Sequence, residues 1–339
     1  MPKFTRPLIL ADQIIILDGL TGTGKTMFSP LIASFKGVQN PRFEYMFEYL
    51  AISGLFNKAD MDTTSALLKL LVDIKYYDAG ISREVNFRPT DLSSVFSNGN
   101  GFKYLKQLFQ ADGGDAANRL KNESPTFFLL THQLLSCMNV MNEAFGERLK
   151  VVEMVRHPLY LLDHWLSYID MHGMNPRDFT VWIDYKGNAI PWFAAGWEER
   201  YLSSSSVDRV IYSIDSLMQE VYACAANGKI SNVFFIPFEK FVLHPELYLK
   251  DLENFFGMQC TSDTKKHLKK QLVPRENINI GPQKKIYIRY GVKKHTEKLS
   301  HKDDYAERLK KAHNLCSPDS FSALKNCINK YEEIFGIWY

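Results

Sequence analysis

The stretch Ile14-Ile-Ile-Leu-Asp-Gly-Leu-Thr-Gly-Thr-Gly-Lys-Thr26 decides the fold. Its apolar start reads as a buried strand, and Gly19-x-x-x-x-Gly24-Lys25-Thr26 has the spacing of a phosphate-binding loop. Leu20, Thr21, Gly22 and Thr23 fill that loop. Glycines let the backbone curl so that consecutive N–H groups face an anion. The helix expected from Lys25 adds partial positive charge at its N-terminus. Lys25 is then placed to reach a terminal phosphate or its equivalent.

Working outward, three further apolar runs read as strands buried on both faces: Phe127-Phe-Leu-Leu130, Val151-Val-Glu-Met-Val155 and Val233-Phe-Phe-Ile236. Helical spacing separates them. Val207, Val210, Ile211, Ile214, Leu217, Met218 and Val221 mark one amphipathic helix, and Leu247 to Phe256 marks another that ends at Gly257. Strands alternating with helices predict an α/β fold, a parallel β-sheet flanked by helices on both faces. In such sheets the functional side chains stand at the carboxyl ends of the strands. Those ends are the glycine loop, Thr131-His132, Arg156-His157-Pro158 and Pro237-Phe238-Glu239. Residues from about 57 to 124 interrupt the alternation with Gly/Asn/Asp-rich segments, so a mainly helical insertion on the substrate side of a single domain, 1–339, is expected.

Composition narrows the class. Hydrophobic content of 45% and charged content of 23% fit a folded globular chain, and a net charge of +3 is too slight to argue for a nucleic-acid partner. No run approaches membrane-spanning length, and no secretory leader is visible. Cys137, Cys224, Cys260, Cys316 and Cys327 are odd in number and contain no C-x-x-C pair, which argues for reduced thiols, no metal site and a cytoplasmic compartment.

With these elements in order, the chain resembles the sulfotransferases that use 3′-phosphoadenosine 5′-phosphosulfate (PAPS), a family with a P-loop-type fold. Phe127-Phe-Leu-Leu-Thr-His132 resembles that family's strand and Thr-His element, and Val151 to Pro158 its strand ending in an arginine. Phe235 to Gly257 is similar to its strand, acidic turn and helix closing on glycine. The resemblance implies transfer of a sulfuryl group from PAPS to a hydroxyl or amine of a small-molecule, carbohydrate or lipid acceptor. Lys25 and the loop amides would clamp the donor and stabilise the leaving oxygen, and His132 would be the general base. Arg156 would grip the donor's 3′-phosphate with its planar fork. His164 stands where the family places a serine, with Ser167 one helical turn further on, and either shares that task. Lys284, Lys285 and Arg289 fall where the family has a basic segment closing over the same phosphate.

Two departures keep other readings open. Gly22 stands where the family's loop carries its lysine, and Leu130 precedes Thr-His where lysine is common. The complete Gly-Lys-Thr ending also resembles nucleoside and nucleotide kinases, in which Thr26 would help hold Mg²⁺ for ATP. A nucleotide-binding module without chemistry is the third reading. Asn57-Lys-Ala-Asp60 matches a GTPase motif by spelling alone and reads as a surface turn. Arg83 and Arg88 are candidates for holding an anionic acceptor, with Glu84 and Asp91 as reserve bases.

Overall fold

Ile14–Asp18 is buried at every position, so neighbours must cover both of its faces and both of its edges. It forms β1, the middle strand of a five-stranded parallel sheet in the computed structural model, which describes residues 2–89, 91, 93–96, 101–169, 172–176, 178–227, 231–282 and 299–338. Lys284, Lys285 and Arg289 lie outside the described residues.

The chain leaves β1 through the glycine loop and enters α1 (Lys25–Ile32), so Lys25 opens a helix as the motif requires. It then forms β2 (Arg42–Phe43), α2 (Tyr45–Leu55), α3 (Met61–Gly80), α4 (Gly101–Gln107) and α5 (Gly113–Glu123). Next come β3 (Phe127–Leu130), α6 (Met138–Phe145), β4 (Leu149–Val155) and α7 (Pro158–Ile169). Sheet order is β2-β3-β1-β4 and then β7 (Val233–Pro237), all parallel, with Ile14 opposite both Phe127 and Leu149. β3 and β4 thus bracket β1, and their carboxyl ends bracket the loop.

Between α7 and β7 lie a two-stranded hairpin, β5 (Trp182–Tyr185) and β6 (Asn188–Pro191), then α8 (Glu198–Ser203) and α9 (Ser206–Asn227). After β7 the chain forms α10 (Phe238–Leu243), α11 (Pro245–Phe256) and α12 (Ser262–Lys270). Gly257 ends α11 in the left-handed region that favours glycine, as its position predicts. Helices His301–Leu315 and Pro318–Phe335 close the chain, the latter packed on α9 and α7. Among the described residues no helix is long and apolar enough to cross a membrane.

One expectation changes. Val233, Phe234 and Phe235 are half-buried, because β7 pairs with β4 alone and stands at the edge of the described sheet. The insertion is helical, but Leu68, Val72 and Tyr76 of α3 belong to the main core. Asp73 there accepts the N–H groups of Leu10 and Ala11 and pairs with Arg6 at 2.5 Å, which pins the chain just before β1. This part of the insertion therefore serves the amino end of the sheet, while Glu84 and Ser93 meet the β2 region by accepting hydrogen bonds from Arg42 and Asn40 at their carbonyls.

Candidate functional site

Four successive carbonyls of the glycine loop are held by side chains or by the loop itself. Lys25 Nζ donates to the Gly19 carbonyl and, at 3.1 Å, to that of Leu20. Thr23 adds its hydroxyl and its N–H to the Leu20 carbonyl. The Trp165 indole donates to the Thr21 carbonyl at 2.9 Å, and Arg156 Nη1 to that of Gly22 at 2.9 Å. A trans peptide turns its N–H opposite its C=O. Holding the carbonyls of residues 19 to 21 therefore aims the amides of residues 20 to 22 the other way, beside the N-terminal end of α1 and its partial positive charge. Amides turned to one side in this way form the kind of concavity that can receive an anion.

Glycine is required where the loop touches its surroundings. Gly19 has φ of 136°, and a Cβ there would lie 2.3 Å from the Met154 carbonyl oxygen. Gly24 has φ of 101°, and a Cβ there would lie 2.7 Å from the Phe238 ring. The His164 ring packs against Gly22. Burial, then the charges of Arg156 and Lys25, push the His164 pKa down to about 4, so this imidazole is uncharged at neutral pH. Ser167 donates its hydroxyl to the His164 carbonyl at 2.7 Å. Thr26 sits half-buried in the first turn of α1.

A buried charge cluster lies beneath the loop. Lys25, Asp18 and Glu153 are all nearly inaccessible, and Asp18 and Glu153 stand opposite each other across the β1–β4 pair. Burial pulls the Lys25 ammonium below its ordinary pKa against the opposing pull of Asp18. Burial, reinforced by the Asp18 charge, drives Glu153 well above the carboxylate range. Burial raises Asp18 as well, against the pull of Lys25 and of its hydrogen bonds, so in all three groups burial works against the charged form. Asp18 has a further task. Its Oδ1 accepts the Thr131 hydroxyl at 2.9 Å and its Oδ2 accepts the Leu134 N–H at 2.6 Å, which fixes both ends of the turn carrying His132.

His132 therefore stands at the end of β3, beside the loop, as its strand position predicts. Its Nδ1 lies 2.9 Å from Oε1 of Glu48 on α2. The ring stacks on Phe43 at 5.9 Å and nearly parallel to Tyr45 at 6.2 Å, and its side chain is 31% exposed. A carboxylate at Nδ1 makes that nitrogen the donor, so Nε2 is left to take a proton. The neighbouring Gln133 adopts φ of 61°, which turns the chain sharply after the imidazole.

The next strand end divides its two polar residues. Arg156 points to the loop, with its guanidinium 4.6 Å over the Phe238 ring and Nε 3.8 Å from Glu239. His157 turns the opposite way and is completely buried. Its Nδ1 accepts the Leu159 N–H, its Nε2 lies 3.3 Å from Glu332, and the rings of Tyr160, Tyr305, Tyr331 and Trp338 surround it. Glu239 joins both halves by accepting the His157 N–H and the Tyr331 hydroxyl.

Thus Lys25, His132, Arg156 and His164 converge on the loop. Arg83 does not join them, because it pairs with Asp78 at 3.1 Å. Glu48, Trp165 and Asp18 were not among the sequence candidates for site residues. Asp18 and Trp165 adjoin motifs that could have pointed to them, whereas Glu48 lies 84 residues from His132 with no motif of its own.

No known family profile matches the chain, and no curated protein does. Among solved structures, the sulfotransferase domain of the Synechococcus PCC 7002 olefin synthase is similar over 96% of this chain and 98% of that one, at 10% identity and a TM-score of 0.44. A sulfotransferase from Mycobacterium avium is similar over 98% of this chain and 78% of its own, at 10% identity and a TM-score of 0.42. A mouse sulfotransferase complexed with PAP is similar over 94% and 90%, at 12% identity and a TM-score of 0.37.

Proposed function

We propose that this chain transfers a sulfuryl group from PAPS to a hydroxyl or amine acceptor. The observation that carries the reading is the pairing of an anion nest with a carboxylate-held imidazole on the adjoining strand end. The residues fit the donor's chemistry. A nest of amides, the Lys25 ammonium and the Arg156 guanidinium present positive potential to phosphate and sulfate groups, and uncharged His164 fits closely beneath the loop.

When bound, PAPS supplies an activated sulfate on a phosphate leaving group. His132 takes the acceptor's proton at Nε2, while Glu48 orients the ring and stabilises the charge it gains. Lys25 and the loop amides stabilise negative charge on the leaving oxygen. Arg156, with His164 or Ser167, would hold the 3′-phosphate; Lys284, Lys285 and Arg289, which the resemblance assigns to the same phosphate, lie outside the described residues.

A second reading, an ATP- and Mg²⁺-dependent kinase, is favoured by one observation, Lys25 and Thr26 opening a helix directly after the complete loop. It would use a carboxylate at a strand end to help hold the metal. Here Asp18 has both oxygens engaged by Thr131 and Leu134, and the β3 end presents Thr131 and His132. Calorimetry with 3′-phosphoadenosine 5′-phosphate (PAP), and with ATP in the presence and absence of Mg²⁺, separates the two. PAP binding without metal, followed by transfer of labelled sulfate to an acceptor panel, is the expected result. Mg²⁺-dependent ATP binding with no affinity for PAP would replace it with the kinase reading, and PAP binding without turnover on any acceptor would leave a binding module.

A further inference from the structure

We infer that the outer face of α4, with the turn that follows it, docks the protein onto an anionic lipid membrane surface. The inference does not depend on the sulfuryl-transfer reading, in which none of these residues has a part. Gly101-Phe-Lys-Tyr-Leu-Lys-Gln-Leu-Phe-Gln110 sets Phe102, Leu105 and Phe109 at i, i+3 and i+7, the spacing of one helical face. An apolar face of this kind ordinarily turns to the core. Here it turns outward: Phe102 is 87% and Phe109 90% exposed, and Leu105 and Leu108 are exposed with them.

The opposite side of the helix is fixed to the fold, so this orientation is built in. Tyr104 is buried there, its hydroxyl accepting the Asn40 N–H at 2.9 Å and its carbonyl accepting the Ser82 hydroxyl at 2.7 Å. Gly101 lies against the Phe96 ring, where a Cβ would come within 2.4 Å. Backbone bonds from the N–H groups of Leu108, Phe109 and Gln110 to the carbonyls three residues earlier carry the winding past the end of α4. Rotating the helix to bury its phenylalanines would break both bonds of Tyr104.

A second exposed stripe leads up to the first. Leu67, Leu70 and Ile74 stand exposed on one side of α3. Tyr77, the next position of that stripe, accepts the Gly113 N–H at 2.8 Å, so the stripe reaches the segment that follows Phe109. Apolar surface of this extent on a soluble fold marks a docking surface.

Charge identifies the occupant. Lys103 and Lys106 are exposed beside the phenylalanines, and no Asp or Glu occurs from Leu92 to Ala111. Protruding Phe and Leu flanked by Lys is the composition of a helix lying in a membrane interface, its apolar side chains entering the headgroup–acyl boundary and its ammonium groups meeting anionic headgroups. A second copy of the chain is a poorer occupant. A two-fold contact would set the lysines against their own kind, with no carboxylate of the same segment to pair them. Two rings standing clear of the surface would also need shaped pockets in a protein partner, whereas a fluid bilayer yields to them.

The test is co-sedimentation of the full chain with vesicles of equal parts phosphatidylcholine and phosphatidylserine, and with vesicles of phosphatidylcholine alone. Binding to the mixed vesicles is expected, weakening as salt is raised. Phe102→Ser with Phe109→Ser should weaken it at least about ten-fold, since each removes a large apolar side chain from the interface. Lys103→Gln with Lys106→Gln should weaken it by about ten- to thirty-fold, the worth of two lysines at an anionic surface. All four positions are exposed, so the unfolding midpoint of both double variants should match that of the parent, and the lysine pair reports even if the serine pair perturbs the helix. No binding to the mixed vesicles, equal binding to phosphatidylcholine alone, or binding that survives either double substitution would overturn the inference. So would a dimer in sedimentation velocity that Phe102→Ser with Phe109→Ser dissolves, which would give the face to a second copy.

Discussion

The ends of β3 and β4 look alike in sequence, each an apolar run followed by a polar residue and a histidine, yet the structure uses them oppositely. Thr131 turns inward to Asp18 and His132 faces the crevice on Glu48, whereas Arg156 faces the loop and His157 is sealed among aromatic rings. The two imidazoles even present opposite nitrogens to their carboxylates, Nδ1 to Glu48 and Nε2 to Glu332. A strand-end histidine is thus defined by which side its partner comes from: α2 leaves one reachable, and the C-terminal helix buries the other.

Substitutions sharpen that contrast. The largest effect is expected at His132→Ala, which should lower turnover by roughly 10² to 10⁴-fold while PAP affinity and the unfolding midpoint barely change. Retained turnover on a working acceptor would remove His132 from the chemistry. His157→Ala should do the reverse and cost roughly 2–4 kcal/mol of stability, read by denaturant titration, because it opens a cavity among four rings and leaves Glu332 with the Tyr305 hydroxyl but without the imidazole. Lost turnover at unchanged stability would break the comparison.

Arg156→Ala should weaken PAP by about 1.5–3 kcal/mol and adenosine 5′-phosphosulfate, which has no 3′-phosphate, by much less. Equal losses would show that Arg156 acts only by holding the Gly22 carbonyl. The smallest effect concerns pH. The His164 pKa is about 4 in the fold and near 6.5 when exposed, so between those values the unfolded chain binds more protons and stability falls as pH falls. Above pH 6.5 this residue has no influence. His164→Gln should flatten the slope by up to about 1.4 kcal/mol per pH unit, and an unchanged slope in urea titrations would place the titrating group elsewhere.

Much of the frame was legible because continuous apolar runs signal strands covered on both faces. β1, β3, β4 and the helix opening at Lys25 follow from that signal and from the glycine spacing. β2 was not legible, since Arg42–Phe43 is two residues long and owes its strand character to pairing with β3. The β5–β6 hairpin was missed although Lys186-Gly187, with φ of 52° and 79°, occupies a two-residue turn between the strands. At the site, His132 and Arg156 announced themselves by standing at strand ends. Glu48 did not, because the contact joins segments that only the fold brings together. The opposite facing of Arg156 and His157 was equally invisible, being set by helices that begin after residue 300.

The clasp between His157 and Glu332 also bears on when the site can exist. The two residues are 175 positions apart in the chain, and Tyr331 closes on Glu239 in the same way. At roughly 5–20 residues per second, a ribosome needs on the order of ten seconds or more to pass from one to the other. During that interval β4 has its sheet neighbour β1, but His157 lacks Tyr331 and Trp338 from its cage and Glu239 lacks the Tyr331 hydroxyl. A nascent chain can therefore assemble the glycine loop early and complete the footing of Arg156 only once the helix Pro318–Phe335 has emerged, which makes that helix the step that commits the placement of the arginine.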